Sequence, residues 1–172
     1  MEDKMRNFKI GVWIFCIFLV QTVILSGIHV YNAVPSVVLP FTVCIALMEE
    51  DILTASVISG ICALTAGAFT GHSYIVTVLY IFYVSMLIFA LKSKPVYIGR
   101  VVKAFVWTFI VSGVMEIIFR ALDAGNVTTD ALMYSVLPSA VVNTIFVILV
   151  YPLLKRTMYK EDKVKLLIGD LV

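Results

Sequence analysis

The sequence predicts an all-α integral membrane protein, with six transmembrane helices packed in one bundle. Three observations predict it: an apolar composition, a succession of span-length apolar runs, and a one-sided distribution of positive charge. Of the 172 residues, 62% are hydrophobic and 14% charged, and the mean hydropathy is +1.05. A soluble domain is about half apolar and about a quarter charged, so this chain has too little polar surface to cover itself in water. Helices are the expected form in lipid because they satisfy their own backbone hydrogen bonds where water is absent.

A spanning helix takes roughly 20 mostly apolar residues. Spans are predicted at about 10–30, 34–48, 52–70, 74–91, 101–122 and 131–154. The loops between them are too tight for a second folded domain, so residues 1–172 read as a single polytopic unit. The first span has no charge between Lys9 and His29. It is longer than a typical signal-peptide core and no A-x-A-like site follows it, so it is expected to be retained. The second span is short and holds Pro40.

Charge decides the second span. Cytoplasmic loops collect Lys and Arg. The amino terminus holds Lys4, Arg6 and Lys9. The loop after the fourth span holds Lys92, Lys94, Arg100 and Lys103, and the tail holds Lys155, Arg156, Lys160, Lys163 and Lys165. Of the 13 Lys and Arg residues, only Arg120 lies elsewhere. Six crossings put all three groups on one side, with both termini cytoplasmic. Without the second crossing, the 92–103 loop falls outside. The acidic residues 49–51 then form a cytoplasmic turn, and residues 70–73 an external one.

Catalytic signals are absent. The chain has no nucleotide loop, no zinc signature and no nucleophile motif, so neither an enzyme nor a cofactor or metal is expected. Cys16, Cys44 and Cys62 all fall within spans, without metal-ligand or disulfide spacing, and read as small apolar packing residues. His29 and His72 fall at external span ends, where interface histidines are common. The basic loop and tail follow from topology and imply no nucleic-acid partner.

Two patterns remain. In the third span Ser59, Ala63, Gly67 and Gly71 recur every four residues, which places them on one helix face. Small residues there let helix backbones approach closely, the usual packing device in lipid. Packing within the chain is expected ahead of a partner contact. The second pattern is a set of polar residues that are costly in lipid: Gln21, Glu116, Arg120 and Asn143. Such residues usually face the protein interior and pair with one another. Glu116 and Arg120 are four apart and can pair along one helix. Interhelical hydrogen bonding is the expected role, and a polar pocket in the outer half of the bundle the sharper alternative.

The order of these features resembles a known family. "VQTVI" precedes "VYNAVPSVVLPFTVCIALMEED", the Gly-rich "GICALTAG" follows, and the chain's last span closes "VVNTIFVILVYPLLKR". This resembles the bacterial rod-shape-determining MreD family, which tends to have a Gln-Ser/Thr pair in its first helix and a Pro opening the second. A Gly-rich third helix and a last helix ending near a Tyr/Ala-Pro complete the pattern. One departure is the acid that many members carry after the Gly-rich run; "AGAFTGH" has none. The resemblance implies a non-catalytic scaffold in the inner membrane, serving lateral peptidoglycan synthesis. Its implied partners are an MreC-like periplasmic scaffold, the actin-like MreB, and the pair RodA and PBP2. Gln21 would then bond another span and fix the register of the first. The alternative is the substrate-binding component of an energy-coupling-factor vitamin transporter, similar in size, span number and fold. The first helix lacks the Ala-x-x-x-Ala coupling face of that class, whereas Glu116 and Arg120 would suit its outer binding site.

Overall fold

The computed structural model describes residues 2–28, 30, 34–69, 74–92, 99–124 and 128–157. His29, Gly71 and His72 lie outside them. All regular elements among these residues are helical. Helix α1 is Glu2–Leu19, continued by a π-helical turn at Val20–Ile24 and a 3-10 turn at Leu25–Gly27. Then come α2 (Val38–Met48), α3 (Ile52–Phe69), α4 (Tyr74–Leu91) and α5 (Arg100–Ala124). The last helix, α6, starts with one turn at Thr129–Ala131, passes through a π-helical turn at Leu132–Val136, and runs on as Leu137–Thr157. Among the described residues, four helical stretches are long and apolar enough to cross a membrane: Phe8–Gly27, Tyr74–Leu91, Arg100–Leu122 and Thr129–Arg156. The protein is therefore a helical membrane protein.

The predicted second span departs from a simple helix. Residues 34–36 belong to no regular element, and the α-helix begins only at Val38. Its 11 residues cover about 16 Å at 1.5 Å per residue, roughly half of a 30 Å hydrocarbon core. Pro40 sits in the first turn, where a missing N–H costs little. Every residue of α2 is buried. A helix that is apolar all round has no face suited to water or to one neighbour, so it belongs at the centre of a bundle. It does so here: α2 touches α3, α4, α5 and α6.

Two hairpins enclose it. In the first, α3 lies against α4. Ser56 on α3 meets Met86 on α4, its Oγ 3.2 Å from Sδ. Nearer the turn, a Cβ placed on Gly67 would lie 2.8 Å from Val78 Cγ2 and 2.9 Å from Tyr74 Cδ2, so only glycine permits this approach. The small-residue ridge thus packs within the chain: Ser59, Ala63 and Gly67 are buried. In the second hairpin, α5 lies against α6. A hydrogen bond 2.7 Å long, from the Tyr80 hydroxyl to the Val111 carbonyl, ties the hairpins together across α4 and α5. Helix α1 lies more loosely, burying a narrow stripe of Ile10, Ile17, Gln21 and Leu25.

Helix ends follow local chemistry. Asp51 caps α3, its Oδ2 accepting the Thr54 N–H at 2.8 Å and the Thr54 hydroxyl at 2.6 Å. Thr128 caps α6 by accepting the Ala131 N–H at 3.2 Å. Each cap satisfies a donor that the first helical turn leaves open.

Candidate functional site

The four polar residues singled out in the sequence fall in two clusters. Gln21 and Asn143 bond the non-helical segment before α2, and Glu116 and Arg120 bond each other and Ser135 across the α5–α6 seam. Non-helical backbone is tolerated at membrane depth only where protein satisfies its polar groups. Two side-chain amides do this. Gln21 Nε2 donates to the Pro35 carbonyl at 3.1 Å, and the Val37 N–H donates to Gln21 Oε1 at 2.9 Å. The amide of Gln21 thus engages an acceptor and a donor two residues apart, as a neighbouring β-strand would. Pro35 itself has no N–H to satisfy. Between these contacts the Ser36 N–H donates to Asn143 Oδ1 at 2.7 Å.

Asn143 is anchored in turn. Its Nδ2 donates to Ser112 Oγ of α5 at 3.0 Å and lies 3.4 Å from Ser139 Oγ. Asn143 sits at the middle of the apolar stretch Thr129–Arg156, so α2 begins deep in the bundle. Gln21 thus bonds the run predicted as the second span, through the backbone of its non-helical start.

The second cluster lies further along the same α5–α6 seam. Thr108, Ser112, Glu116 and Arg120 follow one another at four-residue steps on α5, and Ser135, Ser139 and Asn143 do so on α6. Such spacing aligns side chains on one helix face. Arg120 Nε donates to Glu116 Oε1 at 3.1 Å, and Arg120 Nη2 donates to Ser135 Oγ at 2.7 Å. The pair expected within α5 is therefore present, and it also reaches α6. Thr108 and Ser59 carry buried hydroxyls without a hydrogen-bond partner.

Among the described residues, each cluster carries a π-helical turn. The turn in α1 contains Gln21. There Thr22 Oγ1 donates to the Phe18 carbonyl at 2.9 Å and Ser26 Oγ to the Thr22 carbonyl at 2.5 Å, the back-bonding that bends helices. The turn in α6 contains Ser135 and ends just before Pro138. Proline cannot donate to the carbonyl four residues back and its ring crowds it, so the preceding turn widens.

The opposite end of α2 has its own polar tie. Glu49, in the turn 49–51 predicted on the cytoplasmic side, ends the helix and is 1% exposed. Its Oε1 accepts the Glu50 N–H at 3.1 Å. Lys92 Nζ donates to the Glu49 carbonyl and lies 3.7 Å from the centre of the Phe89 ring. A cation at a helix C-terminus is favourable. Burial pushes the Lys92 ammonium pKa down, and Glu49 and Glu50 pull against that shift. So α2 is held at both ends by side chains of other helices. Among the described residues, no group of His, Cys, Asp and Glu has metal-binding proximity.

No protein-family model, curated protein or solved structure matches the chain.

Proposed function

We propose that the chain crosses the bacterial cytoplasmic membrane six times, with both termini inside, and acts as a non-catalytic scaffold of the elongation machinery that maintains rod shape. The observation that carries this reading is the contact of Gln21 with Pro35 and Val37. Two marks of the MreD resemblance, the Gln-Thr pair and the Pro opening the second helix, are thereby one physical device. Polar residues in such a site either await a ligand or fix the bundle. Here Gln21, Asn143, Glu116 and Arg120 each bond protein groups, which favours a fixed frame presenting helix faces to partners.

The second crossing combines two geometries. Residues 34–36, fully extended, would add about 10 Å at 3.3 Å per residue to the roughly 16 Å of α2, close to the hydrocarbon thickness. Buried irregular backbone of this kind is typical of discontinuous membrane helices. With that crossing, the three basic clusters share the cytoplasmic side. The expected partners are an MreC-like periplasmic scaffold, with MreB, RodA and PBP2 in the wider assembly.

Depletion in the native cell tests the reading. Rods should widen and round up as the protein is lost. Unchanged shape, together with a defect in vitamin uptake, would favour the energy-coupling-factor alternative.

A further inference from the structure

Two bonds fix the antiparallel register of α5 and α6: Asn143 Nδ2 to Ser112 Oγ at 3.0 Å, and Arg120 Nη2 to Ser135 Oγ at 2.7 Å. Ser112 and Arg120 are eight residues apart on α5, and Asn143 and Ser135 eight apart on α6, so the register holds along the hairpin. Carried twelve residues the other way, it brings Arg100 level with Lys155. Lys103 lies about 4.5 Å deeper at 1.5 Å per residue, and Arg156 follows Lys155. Four cations thus share one end of the hairpin.

Nothing on these two helices balances that charge. The first acid on α5 is Glu116, and α6 has none after Asp130; both stand toward the opposite end. The acids of the α2–α3 turn are engaged elsewhere: Glu49 and Glu50 face Lys92, and Asp51 caps α3. Among the described residues, Arg100, Lys103 and Arg156 form no ion pair. Arg100 instead lies close enough to Lys92 for the two charges to oppose each other. Like charges held together are unfavourable, and an anion between them relieves the repulsion.

Depth says which anion. The cations stand where the apolar stretches Arg100–Leu122 and Thr129–Arg156 end, the level at which long basic side chains reach headgroups. Directly deeper, Val101, Val102, Leu149 and Leu153 are exposed. A cationic rim above lipid-facing apolar surface is complementary to a negatively charged headgroup with its chains alongside.

We propose that this end of the α5–α6 hairpin binds an anionic phospholipid, its phosphate held by Arg100, Lys103 and Arg156. The arginine forks suit phosphate because they donate charge-assisted hydrogen bonds in a plane. The site requires only that the hairpin end at a membrane surface. It is independent of the scaffold reading and of which side that surface faces.

The test is native mass spectrometry of the full chain in detergent, titrated with phosphatidylglycerol and with phosphatidylcholine of the same chains. Wild type should bind one phosphatidylglycerol at least about tenfold more tightly than phosphatidylcholine. Arg100→Gln and Arg156→Gln should each weaken phosphatidylglycerol about fivefold, the scale of one basic residue near an anionic surface, and leave phosphatidylcholine unchanged. Both positions are exposed helix ends, where such changes leave the fold intact. The control is Lys9→Gln, which removes an exposed cation at the end of the stretch Phe8–Gly27. It should change neither lipid by more than about twofold. Equal binding of the two lipids by wild type would overturn the proposal. So would an equal loss in Lys9→Gln, which would make the effect one of net charge. Displacement of the lipid by inorganic phosphate at equal concentration would make a soluble anion the ligand and overturn the assignment to lipid.

Discussion

Asn143→Leu replaces the amide with an apolar side chain of the same heavy-atom number and branching, so its effect reports chiefly the lost hydrogen bonds. Three contacts disappear. The Ser112 and Ser139 hydroxyls can turn to carbonyls of their own helices, so their loss costs little. The Ser36 N–H, held at 2.7 Å by Asn143 Oδ1, has no helix of its own to turn to. Leaving such a donor unsatisfied costs about 1–3 kcal/mol, while hydrogen bonds within membrane proteins average about 0.6 and reach about 1.7 kcal/mol. The expected loss is about 1–2 kcal/mol. Gln21→Leu strands both the Pro35 carbonyl and the Val37 N–H, and should cost about 2–3 kcal/mol on the same basis. The two amides grip adjacent residues, so the first loss frees the segment to relax. The double variant should fall short of the sum by at least about 0.5 kcal/mol. Reversible unfolding of the full chain in mixed micelles measures all three. Single variants within about 0.5 kcal/mol of wild type, the range of inconsequential substitutions, would refute the amide lock.

The α3–α4 approach is equally open to test: Gly67→Leu should cost about 1–3 kcal/mol as overpacking, because Val78 and Tyr74 already crowd that position, whereas Ile81→Leu should be nearly silent in the same unfolding assay. Glu116→Gln and Arg120→Gln should each destabilise more than the double variant, since one member of a partly desolvated pair strands the other; a double variant worse than both singles by the same measure would contradict the pairing. For topology, cysteine at exposed Glu50 or Arg156 should resist an impermeant thiol reagent in intact cells and cysteine at Thr128 should react; labelling at position 50 would remove the second crossing.

Much of the fold is legible in the sequence because lipid leaves few choices. The fourth span is predicted at 74–91, and α4 is Tyr74–Leu91; the fifth and sixth differ from α5 and α6 by a few residues at each end. The form of the second run is not legible. Residues 34–48 are apolar without useful periodicity, and composition cannot distinguish helix from irregular chain there. The decision rests on partners 14–16 and 107 residues away, which satisfy the backbone that a helix would satisfy itself. The four costly polar residues stand out individually. The serines that join them, Ser112, Ser135 and Ser139, do not, because a helical serine usually bonds its own backbone. Their four-residue spacing with Glu116, Arg120 and Asn143 was the available signal. Glu49 misleads for a related reason: an acid beside two others reads as a solvated turn, and only the packing of α2 buries it.

Purification of the full chain from its native membrane, with identification of co-isolated proteins and small molecules, tests the scaffold reading most directly. The account predicts an MreC-like protein in stable association and no bound vitamin. It also predicts that the double variant Glu116→Gln, Arg120→Gln, once folded, keeps that partner and supports rod shape. A tightly bound vitamin in the wild type, lost in the folded double variant while cell shape stays unchanged, would contradict it.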